Sequence, residues 1–529
     1  MASRAHALTL KASSISALDR RIRSSARLRE DRAAERMSMK RATRLVSQVK
    51  EEGEQQQQQQ SDREDIVKTY ENSLVYITSQ SYNLICKGVA SLKEILMKSS
   101  EITTKVSREK DIVERLLSIA EWEPRESSDN NEKDVTLQVN ALHCITSITS
   151  LDGEPTTNVV NCGAIKTVKI LMTDDNPALA NQALWVLGNI CGDSPNLRDR
   201  VLINDVVITL GQLAYQHIKE NDMTLNYVAW IMSNLCRGCP SPQKQYIYEI
   251  LRVLIILVDS ENVDVLLNTL WSISIIAQNV ASEEKNIIDM LETPFYNRVL
   301  SLFYHTDKRV SIHSVIAIGS LSYMSNAISE KLVSLNIMGF LKNMLHSHNQ
   351  NIIRDTCWTL SSLLTSEKAV VSATENGVLL SLIPLLNSEI RSIRKEAIWS
   401  LANAADSGGE NTIKTYINAG ILEPLCSFLE GAGLASSTKG NSERSIVIAL
   451  ELLDSLFAFG ASRMSEDGIN KVVEKSLEYG VYIILDNLQH DNNDVIYQKA
   501  NIILRSYFEV ESYDEEEDLA AFGCNEHIL

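Results

Sequence analysis

Residues 182–193 read Gln-Ala-Leu-Trp-Val-Leu-Gly-Asn-Ile-Cys-Gly-Asp, and this stretch decides the fold. As a helix it places Leu184, Val186, Leu187 and Ile190 on an apolar side. Gln182, Trp185 and Asn189 fall at i, i+3 and i+7, so they share one stripe. A large aromatic beside carboxamides on a polar stripe is unusual for a packing residue, and a single copy would still read as core. The pattern, however, recurs.

Leu225–Arg237 carries Trp230 and Asn234, Leu266–Ala277 carries Trp271, Ile353–Leu363 carries Trp358, and Arg394–Ala404 carries Trp399 and Asn403. The five tryptophans, starting from Trp185, are 45, 41, 87 and 41 residues apart. The long interval is two periods, with Ile316 in Ser314–Leu321 at the missing place. His143 in Leu137–Thr149 marks one more copy, 42 residues before Trp185. A helical period of 41–45 residues predicts an armadillo or HEAT solenoid. The fold expected is all-α: a right-handed armadillo-repeat solenoid of about ten repeats with a flexible basic N-terminal helix.

A chain of 529 residues is too long for one compact core, and a solenoid removes the difficulty because each repeat packs only on its neighbours. Hydrophobic content of 44% with only 6% aromatic suits layers of Leu, Ile, Val and Ala. The net charge of −17 is unevenly spread. Residues 1–50 hold 13 Lys+Arg against 4 Asp+Glu, a net +9, whereas the remainder is −26. The acidic body should attract basic partners and disfavours direct nucleic-acid binding. The nine cysteines are scattered along helices, as reduced thiols would be. Cys236 and Cys239 form a CxxC with no second pair, and the nine histidines show no metal-ligand spacing. Apolar runs are too short to span a bilayer, so no membrane insertion is expected. With no phosphate loop, HExxH or GxSxG, neither an enzyme nor a cofactor is expected.

Four segments follow. Residues 1–50 are an Arg-dense arm that predicts one exposed helix from about Ser16; Asp19, Glu30, Asp31 and Glu35 interrupt it, as transit peptides do not. Residues 51–65 form a Glu/Gln-rich linker, 66–510 the repeats, and 511–529 an acidic tail. Gly163, Gly377 and Gly420 mark turns between repeat helices that need positive φ.

With these residues in hand, the chain resembles importin-α, the adaptor that carries nuclear proteins to importin-β. The resemblance rests on 182–202, on the WxxSNLCRG pattern at 230–238, on 394–409 and on the acidic tail. It implies that third helices line a concave groove for an extended peptide bearing a lysine- or arginine-rich nuclear localisation signal. The major groove would comprise Thr156, Gln182, Trp185, Asn189, Asp193, Trp230, Asn234, Asn268 and Trp271, with Asp193 and Thr156 at the pocket for the indispensable lysine. The minor groove would comprise Asp355, Trp358, Glu396, Trp399 and Asn403. Each Asn amide can donate to and accept from a peptide backbone. Arg20, Arg21, Arg23, Arg27, Arg29, Arg32, Arg36, Lys40 and Arg41 would bind importin-β. The resemblance also implies a recycling exportin with Ran-GTP as a partner, and shuttling between cytoplasm and nucleus.

The chain departs from the family pattern at several places. His143 and Ser147 stand where Trp and Asn are usual, Ile316 and Ser320 replace Arg and Asn, and Ser362 replaces Asn. Ile275 stands where a polar or aromatic residue is usual, Asn268 replaces an acid and Tyr227 an Asn. Fewer backbone clamps predict generic cargo binding weakened about tenfold to a hundredfold, at ~1 kcal/mol per lost bond. Lys40-Arg41-Ala42-Thr43-Arg44 breaks the usual basic run, which predicts weak autoinhibition. The competing reading is a divergent armadillo scaffold for a few dedicated protein partners.

Overall fold

The computed structural model describes residues 58–122, 131–220, 222–279, 285–431, 441–465, 468–491 and 493–508. The basic arm 1–50, with every position assigned above to importin-β, and the acidic tail 511–529 lie outside the described residues. All regular structure among the described residues is helical. The first helix, Gln58–Ile77, starts inside the stretch read as a linker. Glutamine is a good helix former, so a polar, low-complexity composition did not end the helix there.

Two compact units divide the chain between Ile328 and Ser329. In the unit ending at Ile328, six long helices stack in sequence: α1 (Tyr82–Lys98), α2 (Asn131–Thr149), α3 (Pro177–Asp193), α4 (Met223–Leu235), α5 (Val263–Asn279) and α6 (Lys308–Met324). In the unit beginning at Ser329, α7 (Gln350–Leu363), α8 (Arg391–Asn418), α9 (Glu443–Ala461) and α10 (Asp494–Tyr507) do the same. These are the third helices of ten armadillo repeats. The third repeat shows the plan: Glu154–Asn161, then Ala164–Leu171, then α3. Helix α8 contains a break at Gly409, φ 57°, after which the chain belongs to the ninth repeat.

Sequence dictates these elements locally. The turn between first and second helices takes a left-handed residue, Gly163 at φ 96° in the third repeat, which a side chain would strain. Asp205 and Asn336, the residue types that best tolerate that region after glycine, fill it in the fourth and seventh repeats at φ 55° and 57°. Most third helices begin at a capping side chain. Asn176 accepts from the N–H of Ala178 at 3.0 Å, Asp222 from Leu225 at 3.1 Å, and Asn493 from Val495 at 3.0 Å. Each such cap contributes about 1 kcal/mol. The predicted apolar face of α3 is fully buried at Leu184, Val186, Leu187 and Ile190, and burial of such a side chain contributes about 1.5–3 kcal/mol.

Polar bonds then lock one repeat to the next. The side chain of Arg198, on Pro195–Leu202, is fully buried. It donates to the carbonyls of Arg237 and of Pro240 (2.9 Å), and to the Asp199 carboxylate at 2.9 Å. The helix of the fourth repeat thereby holds the loop that leads into the fifth. Replacing Arg198 with Leu leaves the two part-buried carbonyls without this donor. The expected outcome is a loss of about 2–3 kcal/mol, read as a lower urea midpoint of the full chain by circular dichroism.

Candidate functional site

The stripe on α3 to α5 follows from helix period and layer stacking. Trp185 is 41% exposed, while Trp230 and Trp271 are half-buried. Gly188 makes the approach of the second ring possible: a Cβ there would lie 1.9 Å from Cζ3 of Trp230. Tyr227, one turn before Trp230, sets its ring 6.2 Å from that of Trp185. The substitution of Asn by Tyr has therefore added an aromatic wall and removed an amide. Asp193 is partly exposed, and its Oδ1 accepts from the N–H of Gly153 at 2.8 Å. Thr156 is buried and donates to the Leu151 carbonyl at 2.7 Å. The loop 150–153 thus links the two residues expected at the lysine pocket, but the Thr156 hydroxyl is turned into its own turn.

The carboxamides behave differently from expectation. Gln182 is buried and donates to Thr146 Oγ1. Asn189 donates to Thr149 Oγ1 at 3.3 Å, and Asn234 donates to the Gly188 carbonyl at 3.0 Å. Each amide N–H is thus directed at the preceding third helix. Asn234 Oδ1 in addition accepts from Arg237 Nη1 at 3.1 Å. Asn268 donates to the Asp264 carbonyl of its own helix at 2.9 Å.

The departures listed from sequence take structural form. His143 is half-buried, and burial together with nearby Lys93 depresses its pKa, keeping the ring neutral. Ile316 is buried. Ser147, Ser320 and Ser362 all donate to carbonyls one turn back on their own helices, at 3.0, 2.9 and 3.4 Å. Such back-bonded hydroxyls do not replace an Asn amide as a clamp. His217 has two acidic neighbours. Its Nδ1 lies 2.7 Å from Asp222 Oδ2 and 3.3 Å from Glu220, a contact that fastens the turn into α4.

The second stripe, on α7 and α8, is more enclosed. Trp358, Trp399, Asp355, Glu396 and Asn403 are all buried. Trp358 and Trp399 are each only 2% exposed. The Arg444 guanidinium lies 5.9 Å from the Trp399 ring centre. Arg354 grips Asp355 with two bonds of 3.0 Å. Asn403 donates to the Ser361 carbonyl at 2.8 Å. Three buried atoms, Glu396 Oε2, Trp399 Nε1 and Asn403 Oδ1, have no hydrogen-bond partner among the described residues. Burial pushes the Glu396 carboxyl up, opposed by Lys395 at 3.4 Å. Such orphaned groups cost about 1–3 kcal/mol each and mark a place where a ligand gains by supplying partners.

A shallow surface recess of about 590 Å³ lies elsewhere, between second-layer helices, lined by Ile208, Gly211, Gln212, Tyr215, Gln216 and Ile256. It has no charged lining residue and does not suit a basic ligand.

An armadillo/β-catenin-like repeat model matches residues 154–192, the whole third repeat. Importin subunit alpha-1b of Oryza sativa subsp. japonica is 25% identical over 393 residues, covering 74% of this chain and 70% of the relative. Importin subunit alpha-5 of Arabidopsis thaliana is 27% identical over 405 residues, covering 75% and 74%. The chain is thus similar to importin-α subunits over about three quarters of its length, and a divergent importin-α fits these relationships. The fold is also that of a solved engineered protein, with a TM-score of 0.66 at 19% identity, covering 83% of this chain and 98% of that one. For an importin-α relative with a tryptophan ring seated on bare helix backbone, Gly188→Ala is a direct test. The added methyl must push Trp230 aside. A loss of about 1–3 kcal/mol of stability is expected, measured by thermal unfolding together with a change in tryptophan fluorescence.

Proposed function

We propose that this protein is a nuclear import adaptor, a binding protein and not an enzyme. It takes an extended lysine- or arginine-rich localisation signal along the α3–α5 stripe, and residues 1–50 link the cargo to importin-β. The observation that carries this reading is the stripe itself: partly exposed Trp185, half-buried Trp230 and Trp271, and the partly exposed Asp193 carboxylate. Lysine stems between aromatic rings gain about 0.8 kcal/mol per buried CH₂, and the cation gains ~0.5–2 kcal/mol from the ring faces. Asp193, anchored through one oxygen by the Gly153 N–H, keeps the other for an ammonium group. The net charge of −26 outside residues 1–50 favours encounter with a basic chain.

The α7–α8 stripe is proposed as the second, weaker site, where Asp355, Trp358, Glu396, Trp399 and Asn403 receive a further basic cluster. The unpartnered atoms of Glu396, Trp399 and Asn403 support it. Thr156 and Gln182 act as supports of the first site, since both are buried in bonds to their own scaffold. The acidic tail is assigned to the recycling exportin with Ran-GTP, and the protein to both cytoplasm and nucleus. Neutral His143 and buried Ile316 favour a restricted cargo set over a general one.

Fluorescence anisotropy of a labelled lysine-rich signal peptide with the full chain tests the assignment. Micromolar or tighter binding is expected, with a loss of at least about tenfold for Asp193→Lys, which turns an attraction into a repulsion. Unchanged affinity in that variant would remove the pocket assignment. In a separate pull-down, reversing Arg20, Arg21 and Arg23 to Glu should abolish capture of importin-β; retention by the triple variant would remove the arm's assignment.

A further inference from the structure

One charge on the stripe has no counter-charge among the described residues. Arg237 follows the C-terminus of α4, and its guanidinium carbon lies 5.7 Å from the ring centre of Trp271 on α5. The residue is half-buried, and removal from water holds its pKa below the usual arginine value. Nη1 is engaged by Asn234 Oδ1 at 3.1 Å. Among the described residues, the Nε–Nη2 edge has no bond and no carboxylate pairs with it. Nearby arginines do find one: Arg198 lies 2.8 Å from Asp199, and Arg298 lies 3.1 Å from Glu261. Asn268, one turn before Trp271 on α5, carries no charge and bonds within its helix.

A half-buried cation without a partner is costly, and it raises the gain available to a ligand that brings an anion. The free edge of a guanidinium is the one that holds a carboxylate with two parallel bonds. An aromatic face behind it fixes the plane of the fork and keeps water from one side. A lysine or arginine of a bound peptide placed here would instead meet a like charge.

We infer that Arg237, with Trp271 behind it and Asn234 beside it, forms an anion position within the peptide groove. It selects localisation signals in which an acidic side chain flanks the basic cluster. This deepens the import-adaptor reading and rests on it: the basic cluster is held by Asp193 and the tryptophans, and the acidic neighbour by Arg237. The chain therefore reads a charge pattern, not basic charge alone.

The test is an acidic scan on the full chain. A labelled lysine-rich peptide is varied with Glu, Gln or Lys at successive positions on either side of its central lysine, and affinities are measured by anisotropy. One register is expected at which Glu binds roughly tenfold more tightly than Lys, the scale of one charge-assisted contact. Arg237→Gln should erase that preference, and Arg237→Glu should invert it in favour of Lys. Thermal unfolding of each variant, and its affinity for the Gln peptide, report on folding. If a variant fails to fold, the peptide series on the unaltered chain decides. Lys equal to or better than Glu at every register would overturn the anion position while leaving the groove assignment standing. No binding by any peptide would overturn the groove assignment and the anion position with it.

Discussion

The spacing between successive third helices is the constraint on which the rest of the structure depends. It is set by amides bonded across repeats: Asn189 to the α2 end at Thr149, Asn234 to the Gly188 carbonyl, Asn403 to the Ser361 carbonyl. Helix-to-helix layers of ~8–10 Å come close to three residues of extended chain at ~3.3 Å each. The same bond that fixes the stack therefore sets the ruler along which a peptide can be read. Stability and recognition share atoms, and this explains why Gln182, Thr156 and Asn234 are buried in scaffold contacts while lying on the recognition stripe.

The two stripes differ in kind. On α3 to α5 the rings remain accessible, and the carboxylate of Asp193 is only half engaged. On α7 and α8 the rings are buried and acceptors stand without donors. The first is ready for a ligand in its present shape. The second stores unsatisfied hydrogen-bonding capacity in a low-dielectric setting, where partners gain most and a buried carboxylate such as Glu396 is pushed toward its neutral form against the pull of Lys395.

Much of the fold was legible in the sequence. The tryptophan period located α3, α4, α5, α7 and α8, and the glycines marked turns between the first and second helices of a repeat, because period and positive φ are local properties. The site was legible as a set of faces but not as a set of bonds. Periodicity says that Asn234 and Asn189 share a stripe; it does not say that their N–H groups turn to the neighbouring helix, since that depends on which carbonyl the stacking presents. Arg237 was read only as part of the pattern at 230–238: it lies beyond the end of α4, outside the helical period, so spacing does not place its guanidinium against Trp271. The enclosure of Trp358 and Trp399 depends on side chains remote in sequence, Arg444 among them.

The direction of the Asn403 amide has a consequence for what can lie against it. Its N–H end is committed to Ser361, and the end left over is an oxygen. An oxygen asks an extended chain for an amide hydrogen, which nineteen of the twenty residue types supply regardless of side chain. Proline has none. Contact at that point is therefore indifferent to the letter of the peptide with one exception, and the exception sets where a proline in a partner's tail is permitted to fall.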